Sequence, residues 1–280
     1  MRGFFYYQNI SLLFGLFPSH GLKEKKLIKR LVKNFGFEIH RISKRNVILD
    51  LSKVELIRNS SIDELRDIGF TENLLLRMGL NNEILSHYPE ELYQYTGYGL
   101  FSWQYPNQFS RLLVKLSEYP IQSYLEIGAR HGGTFIIMYE YLRKFNPHFD
   151  KAIAVDIIKS DSLVKFTESK RGIEYLICSS QSFRFRKLME KTGLDLVLID
   201  GDHSLEACKN DFELVRDKSK MLIFHDISSV VCPGVCATWL HFKSIYKSQY
   251  DFFEFTDQYE EVYQRTGNSY LGIGLAIKKS

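Results

Sequence analysis

Short apolar runs alternate with amphipathic stretches from about residue 108 onward. The apolar runs are short enough for buried strands and lie at 123–127, 152–155, 174–177, 194–199 and 221–224. Helical patterns separate most of these runs, starting with 108–118 and 134–145. Strands that alternate with helices predict an α/β fold, with a doubly wound, mostly parallel sheet covered by helices on both faces. The last apolar run, 270–277, predicts an edge strand of that sheet.

The residues before this region follow another pattern, and we interpret 1–105 as a helical N-terminal extension of a domain that covers 106–280. Apolar residues recur at helical spacing within 22–35, with lysines on the opposite face, which predicts a basic amphipathic helix. Residues 23–45 carry nine basic and two acidic side chains, a net +7, whereas the whole chain is +4, so the remainder is −3. This helix is either a solvated surface helix or a docking surface for an anionic membrane or an acidic partner. A nucleic-acid partner is not predicted, because no recognised nucleic-acid-binding module accompanies the helix.

Composition limits the classes of protein that the chain can belong to. With 45% hydrophobic and 25% charged residues among 280, the chain is expected to bury a full core. The apolar stretch at 4–17 is interrupted by polar residues and is shorter than the roughly 20 residues that a membrane-spanning helix needs. It is also not followed by a signal-peptide cleavage site. The four cysteines lack the spacing of zinc or disulfide frameworks and are expected to be reduced thiols. We therefore predict a cytoplasmic protein, peripheral to a membrane if the basic helix docks there, and a homo-oligomer is a further hypothesis.

An acidic residue lies near the end of the first predicted strand and three glycines follow the strand, in the sequence Glu126-Ile127-Gly128-Ala129-Arg130-His131-Gly132-Gly133. Ligands of open parallel sheets bind beyond the carboxyl ends of the strands, and glycines there let the backbone approach a ligand closely. The spacing departs from the Gly-x-Gly-x-x-Gly pattern of dinucleotide sites. A carboxylate such as Glu126 is better suited to bind a ligand that carries a sulfonium and an amine than to bind a pyrophosphate. We predict that Glu126, Gly128 and Gly132 bind such a cofactor.

The next two strand ends carry further candidates for the same ligand. Asp156 ends the second strand, where a carboxylate can accept hydrogen bonds from both hydroxyls of a ribose. Ser180 follows the third strand together with Ser179 and Ser182, and we predict that it contacts the adenine. Capping of the local loop or helix explains these serines equally well.

Ionisable residues collect where the fourth and fifth strands end. Asp200, Asp202 and His203 follow one strand, and His225 and Asp226 follow the next. Such groups are costly to bury without a purpose. Asp200 and Asp226 could hold a divalent cation such as magnesium or manganese, and His225 as a third ligand would favour a softer transition metal. His203 is the candidate general base, because an imidazole can accept a proton near neutral pH; helix capping or a supporting role is its alternative.

Together these residues resemble the class I S-adenosylmethionine-dependent methyltransferases. The resemblance is carried by Leu125-Glu126-Ile127-Gly128 with Gly132 and by Asp156, and it covers about residues 108–277. It implies a Rossmann-like methyltransferase fold and S-adenosylmethionine as the cofactor. It also implies that Asp200 lies beside the cofactor as well as in the catalytic site.

A finer resemblance rests on the segment Ile199-Asp200-Gly201-Asp202-His203-Ser204 with Phe224-His225-Asp226. In these residues the chain resembles a methyltransferase subgroup that is similar to cephalosporin hydroxylase and macrocin O-methyltransferase. This subgroup includes metal-dependent enzymes that act on hydroxyls of sugars or natural products. The chain departs from that pattern at His225, where an acid or another polar ligand is common, and at Leu205, where an aromatic residue is frequent. These two departures put in question the expected binding of a metal by Asp200, His225 and Asp226.

The leading hypothesis is methylation of a hydroxyl on a sugar or polysaccharide precursor, with His203 and Asp200 as the catalytic residues. The expected partner is therefore a small-molecule or glycan acceptor. One alternative is a metal-dependent hydroxylase or hydrolase on the same fold, and another is a non-catalytic scaffold that binds the cofactor. Trp103 and Gln104 are either core residues or part of the substrate entrance. Trp239 with 254–259 and 269–274 is either core or a carbohydrate-facing wall.

Overall fold

The computed structural model describes residues 47–279. The predicted basic helix at 22–35 and the apolar stretch at 4–17 lie outside the described residues. Within 47–279, none of the helices has the length and apolar character needed to cross a bilayer.

Seven strands form a single sheet. Their bounds are β1 Ser123–Ile127, β2 Lys151–Asp156, β3 Ile173–Ile177, β4 Leu194–Ile199, β5 Ser219–His225, β6 Tyr250–Phe255 and β7 Ile273–Lys278. The strand order is β3-β2-β1-β4-β5-β7-β6, with the first five parallel and β7 antiparallel to both neighbours. The order reverses direction between β1 and β4, which opens a crevice at their carboxyl ends. The predicted doubly wound, mostly parallel sheet is confirmed.

The prediction for the final apolar run was wrong in one respect. The strand at Ile273–Lys278 is not an edge strand, because it lies between β5 and Tyr250–Phe255. Its first four residues are all buried, as expected for a strand that is covered on both faces. The true edge strand, Tyr250–Phe255, mixes phenylalanines with Asp251 and Glu254 and gives a weaker strand pattern.

Ten α-helices precede, connect or follow the strands within the described residues. They are α1 Glu55–Asn59, α2 Ile62–Arg66, α3 Ile68–Met78, α4 Pro106–Leu116, α5 Gly133–Phe145, α6 Asp161–Glu168, α7 Phe183–Glu190, α8 Leu205–Val215, α9 Pro233–Tyr246 and α10 Glu260–Thr266. Short 3-10 helices lie at Leu51–Val54, Leu85–His87, Glu90–Tyr95 and Arg216–Lys218. Several of these short helices lie between residues 51 and 95, before the first strand.

Strand residues alternate between two apolar cores, one on each face of the sheet. In β1, Tyr124 packs in one core with α4 and α5, whereas Leu125 packs in the other with α8 and α9. Trp239 of α9 is fully buried in the second core, and its Nε1 donates to Glu254 Oε1 at 2.5 Å. Trp239 is therefore a core residue and not part of an exposed wall.

The helices before residue 105 pack against the sheet domain. Arg58 of α1 donates from Nη2 and Nε to the two carboxylate oxygens of Glu140 in α5, at 2.6 and 2.9 Å. Ser61 and Glu64 form a capping box that begins α2. Residues 47–279 form one compact unit. A domain boundary at 105/106 stays a prediction.

Candidate active site

The glycine loop, residues 128–133, joins β1 to α5 at the crevice. Gly128 has φ +94°, and a Cβ on it would lie 2.0 Å from the carbonyl oxygen of Asp200. Gly132 has φ +96° and immediately precedes α5. A Cβ on Gly132 would lie against the side chain of Leu163. Only glycine adopts such conformations without strain, and the close approach at Gly128 leaves no room for a side chain. The loop is thereby fixed directly against the end of β4.

Glu126 lies just before the glycine loop and is almost fully buried. The hydroxyl of Tyr124, two residues earlier on the same face of β1, donates to Glu126 Oε2 at 2.5 Å. Burial raises the pKa of Glu126 to about 8, although the Tyr124 hydrogen bond acts in the opposite direction. The carboxyl group is therefore mostly protonated at neutral pH. Its predicted contact with a cationic cofactor stays a prediction.

Asp156 ends β2 beside the same loop. Its Oδ2 accepts the backbone N–H of Arg130 at 2.6 Å, and its Oδ1 accepts that of Ile158 at 2.7 Å. Burial nevertheless raises its pKa. The two backbone contacts fix the carboxylate at the crevice, and each oxygen keeps a lone pair with which it could accept a ribose hydroxyl.

The serines after β3 have separate roles. Ser182 caps α7 by accepting the N–H of Phe185 at 3.2 Å, and Ser179 accepts that of Gln181 at 3.1 Å. The capping alternative is therefore confirmed for these two. Ser180 is half-buried, 3.5 Å from Gln181 Nε2, and its predicted contact with adenine stays a prediction.

Asp200 lies at the end of β4 and is the centre of the predicted catalytic group. Its Oδ1 lies 3.2 Å from His203 Nε2 and 3.1 Å from His225 Nδ1. The structure also places Asp226 Oδ2 3.4 Å from His203 Nδ1 and 3.5 Å from His225 Nδ1. Four predicted site residues from two neighbouring strand ends thus meet. Asp202 is exposed and caps the local turn through the N–H of Ser204.

Cys232 completes this group, although the four cysteines were predicted only to be reduced thiols. Its Sγ lies 3.2 Å from His203 Nδ1 and 3.3 Å from Asp226 Oδ2. It immediately precedes α9, which brings it back to the strand ends. We call these five side chains the polar cluster: Asp200, His203, His225, Asp226 and Cys232. The spacing of Cys232 in the sequence gave no signal of this contact, because the loop between β5 and α9 creates it.

The backbone of Asp226 is held in a strained conformation. Its φ is +63°, in the left-handed region that residues with a Cβ rarely adopt. The side chain is 5% exposed, and its Oδ1 has no hydrogen-bond partner in the described part of the protein. Such strain, combined with an unpartnered buried oxygen, is typical of functional sites.

Opposite charges stabilise one another within the polar cluster. Burial disfavours charge on His225, but Asp200 and Asp226 outweigh this effect and raise its pKa to about 10. Burial also opposes charge on His203, yet hydrogen bonds to Asp200 and Cys232 and the charge of Asp226 raise its pKa well above the usual range. The pKa values of Asp200 and Asp226 are lowered, because the nearby histidines outweigh the effect of burial. The ligand-free cluster is thus a set of imidazolium–carboxylate pairs.

Residues from before the sheet domain cover the crevice. Gln104 Nε2 lies 3.5 Å from Asp200 Oδ2, and its Oε1 is buried without a partner among the described residues. The guanidinium of Arg130 stacks 4.2 Å above the ring of Trp103 and pairs with Glu83. The alternative that placed Trp103 and Gln104 near the site is consistent with this geometry. Glu83 was missed, because 47 residues separate it from Arg130.

Most of the described site lies within a region that matches a known family. A family model described as a methyltransferase domain matches residues 125–227, which run from within β1 to the end of β5 and include the glycine loop and four of the five residues of the polar cluster. Over this range the chain matches a methyltransferase domain, and the predicted enzyme class, a methyltransferase, is confirmed at that level. No curated protein matches the sequence.

Solved methyltransferase structures are similar at low identity. An O-methyltransferase of Bacillus cereus in complex with SAH is 12% identical, and the match covers 90% of this chain and 97% of that chain with a TM-score of 0.46. The O-methyltransferase TomG of Streptomyces achromogenes, in complex with SAM, is 11% identical over 64% of this chain and 82% of that chain, with a TM-score of 0.46. A putative O-methyltransferase of Klebsiella pneumoniae is 12% identical over 82% and 96%, with a TM-score of 0.42.

Proposed function

We propose that the protein transfers the methyl group of S-adenosylmethionine to a hydroxyl oxygen. The observation that carries this proposal is the contact of Gly128 with the backbone of Asp200, because it fixes the glycine loop next to the polar cluster. In the proposed complex, Asp156 binds the ribose, Ser180 lies near the adenine, and Glu126 with Gly128 and Gly132 surrounds the methionine part. Asp200 then lies beside the group that carries the methyl.

His203 is the proposed general base. Its side chain is 32% exposed, whereas that of His225 is only 4% exposed, so an acceptor can reach His203 more readily. Asp200 would orient the ring through Nε2 and stabilise the imidazolium that forms when the base takes a proton. The same acids favour the protonated ring before reaction, so the base role requires a neutral His203.

A divalent cation is the second part of the proposal. Asp200, His225 and Asp226 bring one ligand atom each within 4.8 Å of one another, which fits a common ion. Such an ion would supply Lewis-acid activation of the acceptor hydroxyl when it is bound. Because imidazole is one of the donors, the set suits a transition metal better than magnesium.

The proposed acceptor is a polyhydroxylated small molecule or glycan precursor. Oxygen is favoured over nitrogen because the chain has no Asn/Asp-Pro-Pro-aromatic motif of the kind found in amino-group methyltransferases. Oxygen acceptors need a base, and the polar cluster offers one.

Three further proposals rest on the sequence alone. They are peripheral docking of residues 22–35 to an anionic membrane, a cytoplasmic location and a homo-oligomer.

Calorimetric titration of the full chain with S-adenosylmethionine tests the cofactor assignment. We expect saturable binding at micromolar ligand that is weakened about 10-fold to 100-fold in Asp156→Ala, because the variant loses the ribose contacts. Asp251→Ala is the matched control, since this exposed acid lies on β6 at the far edge of the sheet. Absence of binding at high micromolar ligand would exclude the methyltransferase proposal and favour a metal-dependent hydroxylase or hydrolase. Binding without methyl transfer to any glycan acceptor would favour a scaffold.

A further inference from the structure

We propose that His203, Asp226 and Cys232 form a binding site for a zinc-like transition metal ion, distinct from the oxygen-rich set around Asp200. The three candidate ligand atoms are His203 Nδ1, Asp226 Oδ2 and Cys232 Sγ. They form a triangle with edges of 3.2, 3.3 and 3.4 Å. They provide one nitrogen, one oxygen and one sulfur, a combination that zinc accepts and magnesium does not.

The size of the triangle matches one face of a zinc tetrahedron. Bond lengths of about 2.0 to 2.3 Å at tetrahedral angles separate neighbouring ligand atoms by about 3.3 to 3.6 Å. The observed edges lie within a few tenths of an ångström of that range. An ion could therefore enter with only a small adjustment of the three side chains.

Hydrogen bonding alone satisfies this triangle incompletely. A neutral thiol carries one hydrogen and Nδ1 carries at most one, so two protons are available for three edges. Asp226 Oδ1 is buried and has no hydrogen-bond partner among the described residues, which leaves this carboxylate under-satisfied. A single cation would interact with the lone pairs of all three ligand atoms at once.

The surroundings of the triangle also fit a metal site. Metal-binding histidines usually hold a carboxylate with the second ring nitrogen, and His203 Nε2 lies 3.2 Å from Asp200 Oδ1. Asp226 and Cys232 are buried, whereas His203 is partly exposed and provides access from solvent. Because the protein supplies three ligands and solvent can reach the site, the fourth coordination position of the ion is left for water or a small ligand.

Occupation of this site has a consequence that rests on the proposed function. An ion on Nδ1, with Asp200 on Nε2, leaves His203 no nitrogen with which to accept a proton. Zinc would then inhibit methyl transfer by removing the base. The two sets of ligands share Asp226 Oδ2, so ions bound in both sets at once would have to share this oxygen.

Cobalt(II) is the probe for the test, because thiolate ligation gives a sulfur-to-cobalt charge-transfer band in the near ultraviolet. We expect this band in the full-length wild type and in Cys236→Ser, and its loss in Cys232→Ser. Cys236 is the matched control, since its Sγ lies one helical turn further on and donates hydrogen bonds to the backbone oxygens of Asp226 and Ser229. Zinc affinity should fall about 100-fold in Cys232→Ser and remain within about threefold in Cys236→Ser. A wild type without the band, or a Cys232→Ser protein that keeps it, would overturn the proposal.

X-ray absorption at the zinc edge of the loaded wild type gives a second readout that needs no variant. We expect one sulfur at about 2.3 Å and nitrogen or oxygen ligands at about 2.0 to 2.1 Å, and a shell without sulfur would overturn the site. Methyl transfer measured with and without zinc separates the two proposals. Full activity of the loaded protein would leave the metal site in place and remove His203 from the base role.

Discussion

The glycine loop and the polar cluster lie side by side at the same strand ends but are built by different physical means. The loop depends on backbone conformation, with Gly128 at φ +94° and no space for a Cβ. The cluster depends on charge, with two carboxylates that each lie within 3.5 Å of two imidazoles. A change in the loop should therefore act through steric overlap and affect folding, whereas a change in the cluster should act mainly on chemistry.

The largest effect is expected for Gly128→Ala. The new Cβ would lie 2.0 Å from the Asp200 carbonyl oxygen at an unfavourable φ, so the free energy of unfolding should fall by about 4 kcal/mol. Gly267→Ala is the control, because Gly267 also has a positive φ of 66° but a Cβ at this position would have no other atom within 4 Å. There we expect a loss of only about 1 kcal/mol. Urea unfolding of both variants measures the difference, and equal losses would show that φ, and not the contact with Asp200, determines the need for glycine.

A smaller effect, of a different kind, is expected for His203→Ala. Turnover should fall about 10²-fold to 10⁴-fold, because the variant lacks the base, while cofactor affinity should change by less than about threefold. His241→Ala is the control, since His241 is exposed on α9. Steady-state kinetics and calorimetric titration measure the two quantities separately. Unchanged turnover would remove His203 from the base role, and a parallel loss of affinity would indicate that the cluster supports the cofactor instead.

Glu126 combines features of both regions, since it lies beneath the loop but carries an ionisable group. Burial raises its pKa from 4.5 to about 8, so the native protein binds this proton more tightly than the unfolded chain does. The contribution of Glu126 to stability therefore falls as pH rises from 4.5 through about 8. Glu126→Gln avoids this loss and should be more stable than the wild type by about 3 kcal/mol at pH 7, with the difference disappearing in acid.

Urea unfolding across this pH range measures the difference between wild type and Glu126→Gln. Glu174→Gln provides the comparison, because Glu174 is exposed on β3 and should show a difference close to zero at every pH. A Glu126→Gln difference that does not change with pH would mean that the Glu126 carboxyl is ionised in the native protein.

The order of apolar and amphipathic segments in the sequence was sufficient to predict the sheet, because buried parallel strands need short apolar runs and the connecting helices need one apolar face. The glycines after β1 and the acids at strand ends were also readable, since parallel topology places every carboxyl end at one edge. The position of β7 was predicted wrongly. Strand order depends on which strands pair across the sheet, and an apolar run by itself does not specify its neighbours.

The sequence by itself therefore determined the α/β class, the glycine loop and the residues Asp200, His203, His225 and Asp226 as members of one site. Only the tertiary structure decided that Cys232 joins them and that Gln104 approaches Asp200 from a distant segment. It also decided that Asp202 lies outside the cluster and that Trp239 belongs to the core. The physical reason is that strand ends are ordered by regular backbone geometry, whereas loop contacts and burial depend on packing between segments far apart in the chain.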